Sequence, residues 1–63
     1  MDTYTEVIHC MWYYLHDIWG SCSSDYYRKR KAEVLEAARE MLDAVSYKAL
    51  LRAVEEMEED RNA

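Results

Sequence analysis

The chain has no proline, no phenylalanine and a single glycine, Gly20, so positions at which the backbone is expected to turn are few and easily located. It also lacks any apolar run near the ~18 residues needed to cross a bilayer, and no basic segment precedes an apolar core at its N-terminus. We therefore expect no membrane span and no signal peptide, and a cytoplasmic protein.

Basic residues are outnumbered, with 8 Lys and Arg against 13 Asp and Glu, which gives a formal net charge of −5. This sign opposes direct binding to nucleic acid or to anionic lipid and favours a basic protein partner. Hydrophobic residues make up 51% of the chain, so a disordered chain is excluded. A sequence of 63 residues is expected to form one helical domain, 1–63, with a small core.

Apolar residues recur with the 3-4 spacing of a helical face, which predicts an all-α fold, a small three-helix bundle. The first helix is predicted over about 3–19 and is ended by Gly20. The second is predicted over about 25–43, capped by Ser24 or Asp25.

A change in the phase of the apolar residues near Ser46 predicts a third helix over about 46–60, for which Ser46 is a suitable N-cap. A single straight helix over 25–60 remains an alternative at this stage.

Four carboxylates of the second helix, Glu33, Glu36, Glu40 and Asp43, are spaced 3, 4 and 3 residues apart. At about 100° per residue they share one face, opposite the apolar residues of the same helix. We predict that no neighbouring cation neutralises this acidic stripe and that it binds a partner. The alternative is a solvated face that serves solubility alone.

The only cluster of cations is the basic run 28–31, Arg-Lys-Arg-Lys. If the second and third helices pack antiparallel, this run lies beside the acidic residues 55–60, and internal charge pairing is expected. The alternative is a basic patch that binds nucleic acid directly.

The first helix is rich in Tyr and Trp, which suit surfaces that are wet outside a complex and dry within it. Tyr13 lies on the far side of this helix from its apolar face, with Tyr14 on the flank, and both are predicted to bind a partner. Trp12 and Trp19 are predicted to cover the core. The aromatic face could also pair with a second copy of the chain and form a homodimer.

Residue types that bind metals are present, but His9 and His16 lie about 10 Å apart along a helix and no recognised ligand spacing occurs. Cys10 and Cys22 are too far apart for a disulfide and are expected to be free thiols. Adjacent His9 and Cys10 would point about 100° apart on a helix. We expect no metal, no cofactor and no enzymatic activity.

The acidic stripe, the acidic residues 55–60 and the aromatic first helix resemble, in overall character, the small acidic anti-CRISPR inhibitors of bacteriophages. No family motif is matched. The resemblance implies a protein that occupies the basic, nucleic-acid-binding surface of a CRISPR effector subunit by partial nucleic-acid mimicry, in the cytoplasm of a host cell. The alternative is a self-associating structural or adaptor protein.

Overall fold

The computed structural model describes the backbone of residues 3–62 and the side chains of residues 3–60. Within this range the chain forms three helices: α1 (Thr3–Ser21), α2 (Ser24–Met41) and α3 (Ala44–Asn62). The predicted all-α arrangement of three helices is confirmed, and the straight helix over 25–60 is ruled out. The single-domain prediction also covers residues 1, 2 and 63, which lie outside the described range.

The first turn lies two residues later than predicted, because Gly20 does not end α1. The backbone φ angle of Gly20 is not positive, and the helix continues to Ser21. A backbone hydrogen bond of 3.0 Å from Cys22 N–H to the carbonyl of Ile18 follows the last turn. Glycine is tolerated inside a helix at a cost of about 1 kcal/mol, and the packed apolar face of α1 offsets that cost.

The start of α2 is capped one residue earlier than expected, by Ser23 rather than by Ser24 or Asp25. Ser23 has an extended backbone, and its hydroxyl accepts a hydrogen bond of 3.2 Å from the N–H of Tyr26. This is the usual geometry of an N-cap, and it allows a turn of only two residues.

The second turn lies at residues 42 and 43, three residues before the predicted cap. Leu42 is extended, and Asp43 Oδ1 accepts a hydrogen bond of 2.9 Å from the N–H of Ser46. The prediction that Ser46 caps α3 is therefore wrong, since Asp43 is the N-cap. Asp and Ser are equally good caps, so sequence preference alone did not decide between them.

The three helices lie side by side with α2 antiparallel to both neighbours. The ring centroids of Trp19, near the end of α1, and Tyr27, near the start of α2, are 4.7 Å apart. Lys31 of α2 reaches Glu58 near the end of α3. The longest dimension of the molecule is 31 Å, which is close to the ~28 Å length of one 19-residue helix.

The core is formed by one apolar face from each helix. Its buried members are Leu15, Ile18, Tyr27, Ala38, Leu42, Leu50, Val54 and Met57. Trp12 and Trp19 are half-buried against it, as predicted, and Trp12 Nε1 lies 3.4 Å from the carbonyl oxygen of Ala53. Met41, the last residue of α2, and Val45, near the start of α3, are both exposed.

Shortening Leu50 is expected to destabilise the protein strongly. Leu50 is fully buried, and a Leu→Ala change in a core costs about 2–5 kcal/mol. A domain of this size has a free energy of unfolding of about 3–9 kcal/mol, so Leu50→Ala should remove a large share of it. Urea unfolding followed by circular dichroism measures the loss.

Val45→Ala is the matched control, since Val45 lies on the same helix but is 78% exposed. Val45→Ala should change the free energy of unfolding by no more than about 0.5 kcal/mol. Equal losses from the two variants would contradict the assignment of Leu50 to the core.

Candidate protein-binding surface

Glu36 and Glu40 stand one turn apart on the outer face of α2, and both side chains are exposed. Among the side chains of residues 3–60, neither has a hydrogen bond or an ion pair. These two members of the predicted stripe therefore present unneutralised charge to solvent.

Glu33 does not fit the prediction of an unneutralised stripe, because its carboxylate is paired. Glu33 Oε2 lies 2.7 Å from Nη1 of Arg30, one turn earlier on the same helix. Both side chains are about half exposed, so the pair contributes little stability, but it reduces the charge that Glu33 offers to a partner.

Asp43 belongs to the turn rather than to α2, which ends at Met41. Its carboxylate caps α3, and hydrogen bonds from Ser46 lower its pKa below the usual value for aspartate. Only Glu36 and Glu40 therefore remain as free carboxylates of the stripe.

The two tyrosines predicted to bind a partner occupy different environments. Tyr13 is 61% exposed on the outer side of α1. Tyr14 is half-buried, and its hydroxyl accepts a hydrogen bond of 2.8 Å from Nε of Arg30. The guanidinium carbon of Arg30 also lies 5.8 Å from the centre of the Tyr14 ring. The hydrogen bond with Tyr14 raises the pKa of Arg30.

The contacts of Arg30 join two exposed faces of the protein. Tyr14 adjoins Tyr13 on α1, and Glu33 lies one turn before Glu36 on α2. Arg30 binds both Tyr14 and Glu33, so direct side-chain contacts run from the aromatic part of α1 to the acidic face of α2. Sequence analysis missed this link because it depends on how α1 is rotated against α2.

The basic run 28–31 is only partly neutralised by the acidic end of α3. Lys31 Nζ lies 2.7 Å from Glu58 Oε2, as the antiparallel packing predicted. Arg28 and Lys29 are exposed and form no ion pair with any described side chain.

Glu58 also accepts a hydrogen bond of 2.6 Å from the hydroxyl of Tyr27. Burial alone would raise the pKa of Glu58, but hydrogen bonds from Lys31 and Tyr27 outweigh it and the pKa is lowered. Burial, and then the bond to Glu58, raises the pKa of the Tyr27 hydroxyl well above its usual value. Sequence analysis missed Tyr27, although its spacing of four residues from Lys31 places both on one face.

Tyr27, Lys31 and Glu58 form a junction between α2 and α3. A shallow groove of about 230 Å³ lies beside it and is lined by side chains of all three helices, among them Trp19, Arg28 and Glu58. The indole N–H of Trp19 is buried and has no hydrogen-bond partner within the described part of the chain. Because its nitrogen has almost no accessible surface, a ligand in the groove could not reach it.

Residues 3–60 contain no group of three or more His, Cys, Asp or Glu side chains placed to hold a metal ion. Cys10 and Cys22 are both free and exposed. Within the described helices, no segment is long and apolar enough to cross a membrane.

No protein-family model, curated protein or solved structure matches the chain.

Replacing Glu58 by glutamine is expected to weaken the protein's response to acid. Because the pKa of Glu58 is lower when the protein is folded, its contribution to stability is present above the unfolded value of ~4.3. That contribution is lost as the pH falls through the folded value. The Glu58→Gln variant should have a free energy of unfolding about 1–2 kcal/mol lower at pH 7, and this free energy should fall less steeply towards pH 3.

Urea midpoints across this pH range measure both effects. The exposed neighbour Glu59 supplies the control, since Glu59→Gln should leave both the midpoint at pH 7 and its decline in acid unchanged. An acid response identical in the Glu58→Gln variant and the unmodified protein would contradict the role given to this junction.

Proposed function

We propose that the protein binds a basic surface of another protein through the exposed carboxylates Glu36 and Glu40. The observation that carries this proposal is that both are exposed and have no partner among the described side chains, although the chain contains eight Lys and Arg. Five cations of the same helix lie within eight residues of Glu36, and Arg39 is only three residues away, yet none is paired with it.

The net charge of the protein also favours a basic protein surface as its target. A net charge of −5 on a small protein steers it towards cationic surfaces and away from nucleic acids and anionic membranes. Attraction of this kind speeds association and selects the partner, and it weakens once the Debye length falls to about 10 Å at 0.1 M salt. Contact area from exposed Tyr13 would slow dissociation.

Nucleic-acid-binding surfaces are basic because they neutralise phosphates, and the cleft of a CRISPR effector subunit in a host cytoplasm is one example. Glu36 and Glu40 are about 6 Å apart along the helix, which corresponds to about two charges of one DNA strand. The protein would therefore block a short stretch of such a surface rather than imitate a whole duplex.

Reversing the charges of Glu36 and Glu40 tests the proposal. The double variant Glu36→Lys, Glu40→Lys should weaken binding to a lysine-rich dodecapeptide by at least about tenfold, since two attractive contacts become repulsive. Titration calorimetry at about 50 mM and about 300 mM salt measures the loss and its dependence on ionic strength. Circular dichroism should show unchanged helicity.

The matched control is Glu55→Lys with Glu59→Lys, which makes the same charge change at the same spacing on α3. Glu55 and Glu59 line an open concavity of about 480 Å³ together with Glu56 and the cations Lys48 and Arg52. Arg52 Nε lies 3.5 Å from Glu56 Oε1, so two cations already lie beside Glu55 and Glu59 although neither acid is itself paired with a described side chain. If the two double variants lose the same amount of affinity for the peptide, binding depends on total charge alone. The assignment of the binding site to Glu36 and Glu40 of α2 would then be wrong.

Self-association is the second candidate, because Met41 and Val45 are both exposed where α2 turns into α3. Sedimentation over a wide concentration range distinguishes the two functions. A stable dimer whose formation is lost in a Val45→Asp variant would favour self-association over binding to a basic partner.

A further inference from the structure

The outer face of α1 carries an exposed tyrosine between two exposed acids. Glu6, Tyr13 and Asp17 are spaced seven and four residues apart, which places them on one side of the helix. Along the helix axis Tyr13 lies about 10 Å from Glu6 and about 6 Å from Asp17.

This face has no cation of its own. Every Lys and Arg of the sequence lies at position 28 or later, and none falls within α1. Among the side chains of residues 3–60, neither Glu6 nor Asp17 forms an ion pair. Two carboxylates and an aromatic ring are therefore exposed together without a balancing charge.

The Tyr13 ring is held in place by its neighbours. Its centroid lies 5.1 Å from that of Trp12 and 6.3 Å from that of His9, both in edge contacts at 81°. Trp12 is in turn stacked on His16, with centroids 4.9 Å apart. A ring restrained in this way loses little conformational entropy when a partner covers it.

In a neighbouring part of the molecule, a guanidinium, a tyrosine ring and a carboxylate already lie together. There, the guanidinium of Arg30 lies over the ring of Tyr14 and pairs with the carboxylate of Glu33. On the outer face of α1, Tyr13 and Asp17 supply the ring and the carboxylate one turn apart, and the guanidinium is missing.

We propose that the outer face of α1 binds an arginine-bearing segment of the basic partner, with one guanidinium stacked on Tyr13 and paired with Asp17. A second cation of the segment pairs with Glu6. This proposal rests on the proposed function, because it takes the partner to be basic, and it adds where and through which side chain that partner is recognised.

Arginine suits this face better than lysine. Its planar, weakly hydrated guanidinium stacks on an aromatic ring and forms directed hydrogen bonds to a carboxylate at the same time. The acids are about 16 Å apart, so an extended segment would place its cations about five residues apart at ~3.3 Å per residue. A second copy of this chain is a poorer occupant, because two molecules of charge −5 repel.

The test uses two synthetic peptides that differ only in carrying two arginines or two lysines at that spacing. Nuclear magnetic resonance titration of the intact protein should show the arginine peptide binding about two- to fivefold more tightly, with the largest shifts around Tyr13. The Tyr13→Ala variant should lose this preference, and Asp17→Asn should weaken binding about two- to fivefold.

Tyr26→Ala is the matched control, since Tyr26 is 47% exposed but lies beside the unpaired cations Arg28 and Lys29. It should leave the preference intact. An unchanged preference in Tyr13→Ala, or an equal loss in Tyr26→Ala, would overturn the inference. A protein dimer that Tyr13→Ala dissociates would assign the face to a second copy, and would also overturn it.

The two proposals fail in different ways. If Glu36→Lys with Glu40→Lys weakens both peptides while Tyr13→Ala changes neither, the α2 contact stands and the α1 contact is wrong. If only Tyr13→Ala has an effect, the α1 contact stands and the assignment to α2 is wrong.

Discussion

Glu58 accepts hydrogen bonds from two side chains of α2, and this junction is the polar contact that holds the start of α2 to the end of α3. Tyr27 and Lys31 both donate to its Oε2 atom, at 2.6 and 2.7 Å. It also pairs Lys31, whose charge would otherwise add to that of the unpaired cations in the basic run 28–31. Arg30 of the same run contacts Tyr14 and Glu33 instead, and Arg28 and Lys29 form no ion pair with any described side chain. Glu36 and Glu40, further along α2, form no ion pair with any described side chain, although the exposed Arg39 lies between them in the sequence.

The number of helices could be predicted from the sequence because apolar spacing depends only on backbone geometry. The change of phase near Ser46 correctly indicated a second break, but its position was wrong by three residues. Asp43 and Ser46 are both good caps, and the choice between them follows from where Leu42 must enter the core. Gly20 was misread for a related reason, since packing of α1 overrides the preference of one residue.

The site could be predicted less completely, because its chemistry depends on which neighbours each side chain meets. Spacing placed Glu36, Glu40 and Tyr13 on outer faces, where the structure has them. The same spacing could not reveal that Glu33 is paired with Arg30. It also gave no sign that Tyr14 would face Arg30, because that contact depends on the rotation of α1 against α2.

The backbone of the described range contains no residue with a positive φ angle, and its only glycine lies within a helix. No position in that range therefore requires glycine for conformational reasons. Two polar caps and a handful of buried apolar side chains are enough to specify the scaffold, so almost all outward-facing positions can change without altering the path of the chain. In such an architecture the outward-facing surface can change by mutation while the helical framework beneath it is retained.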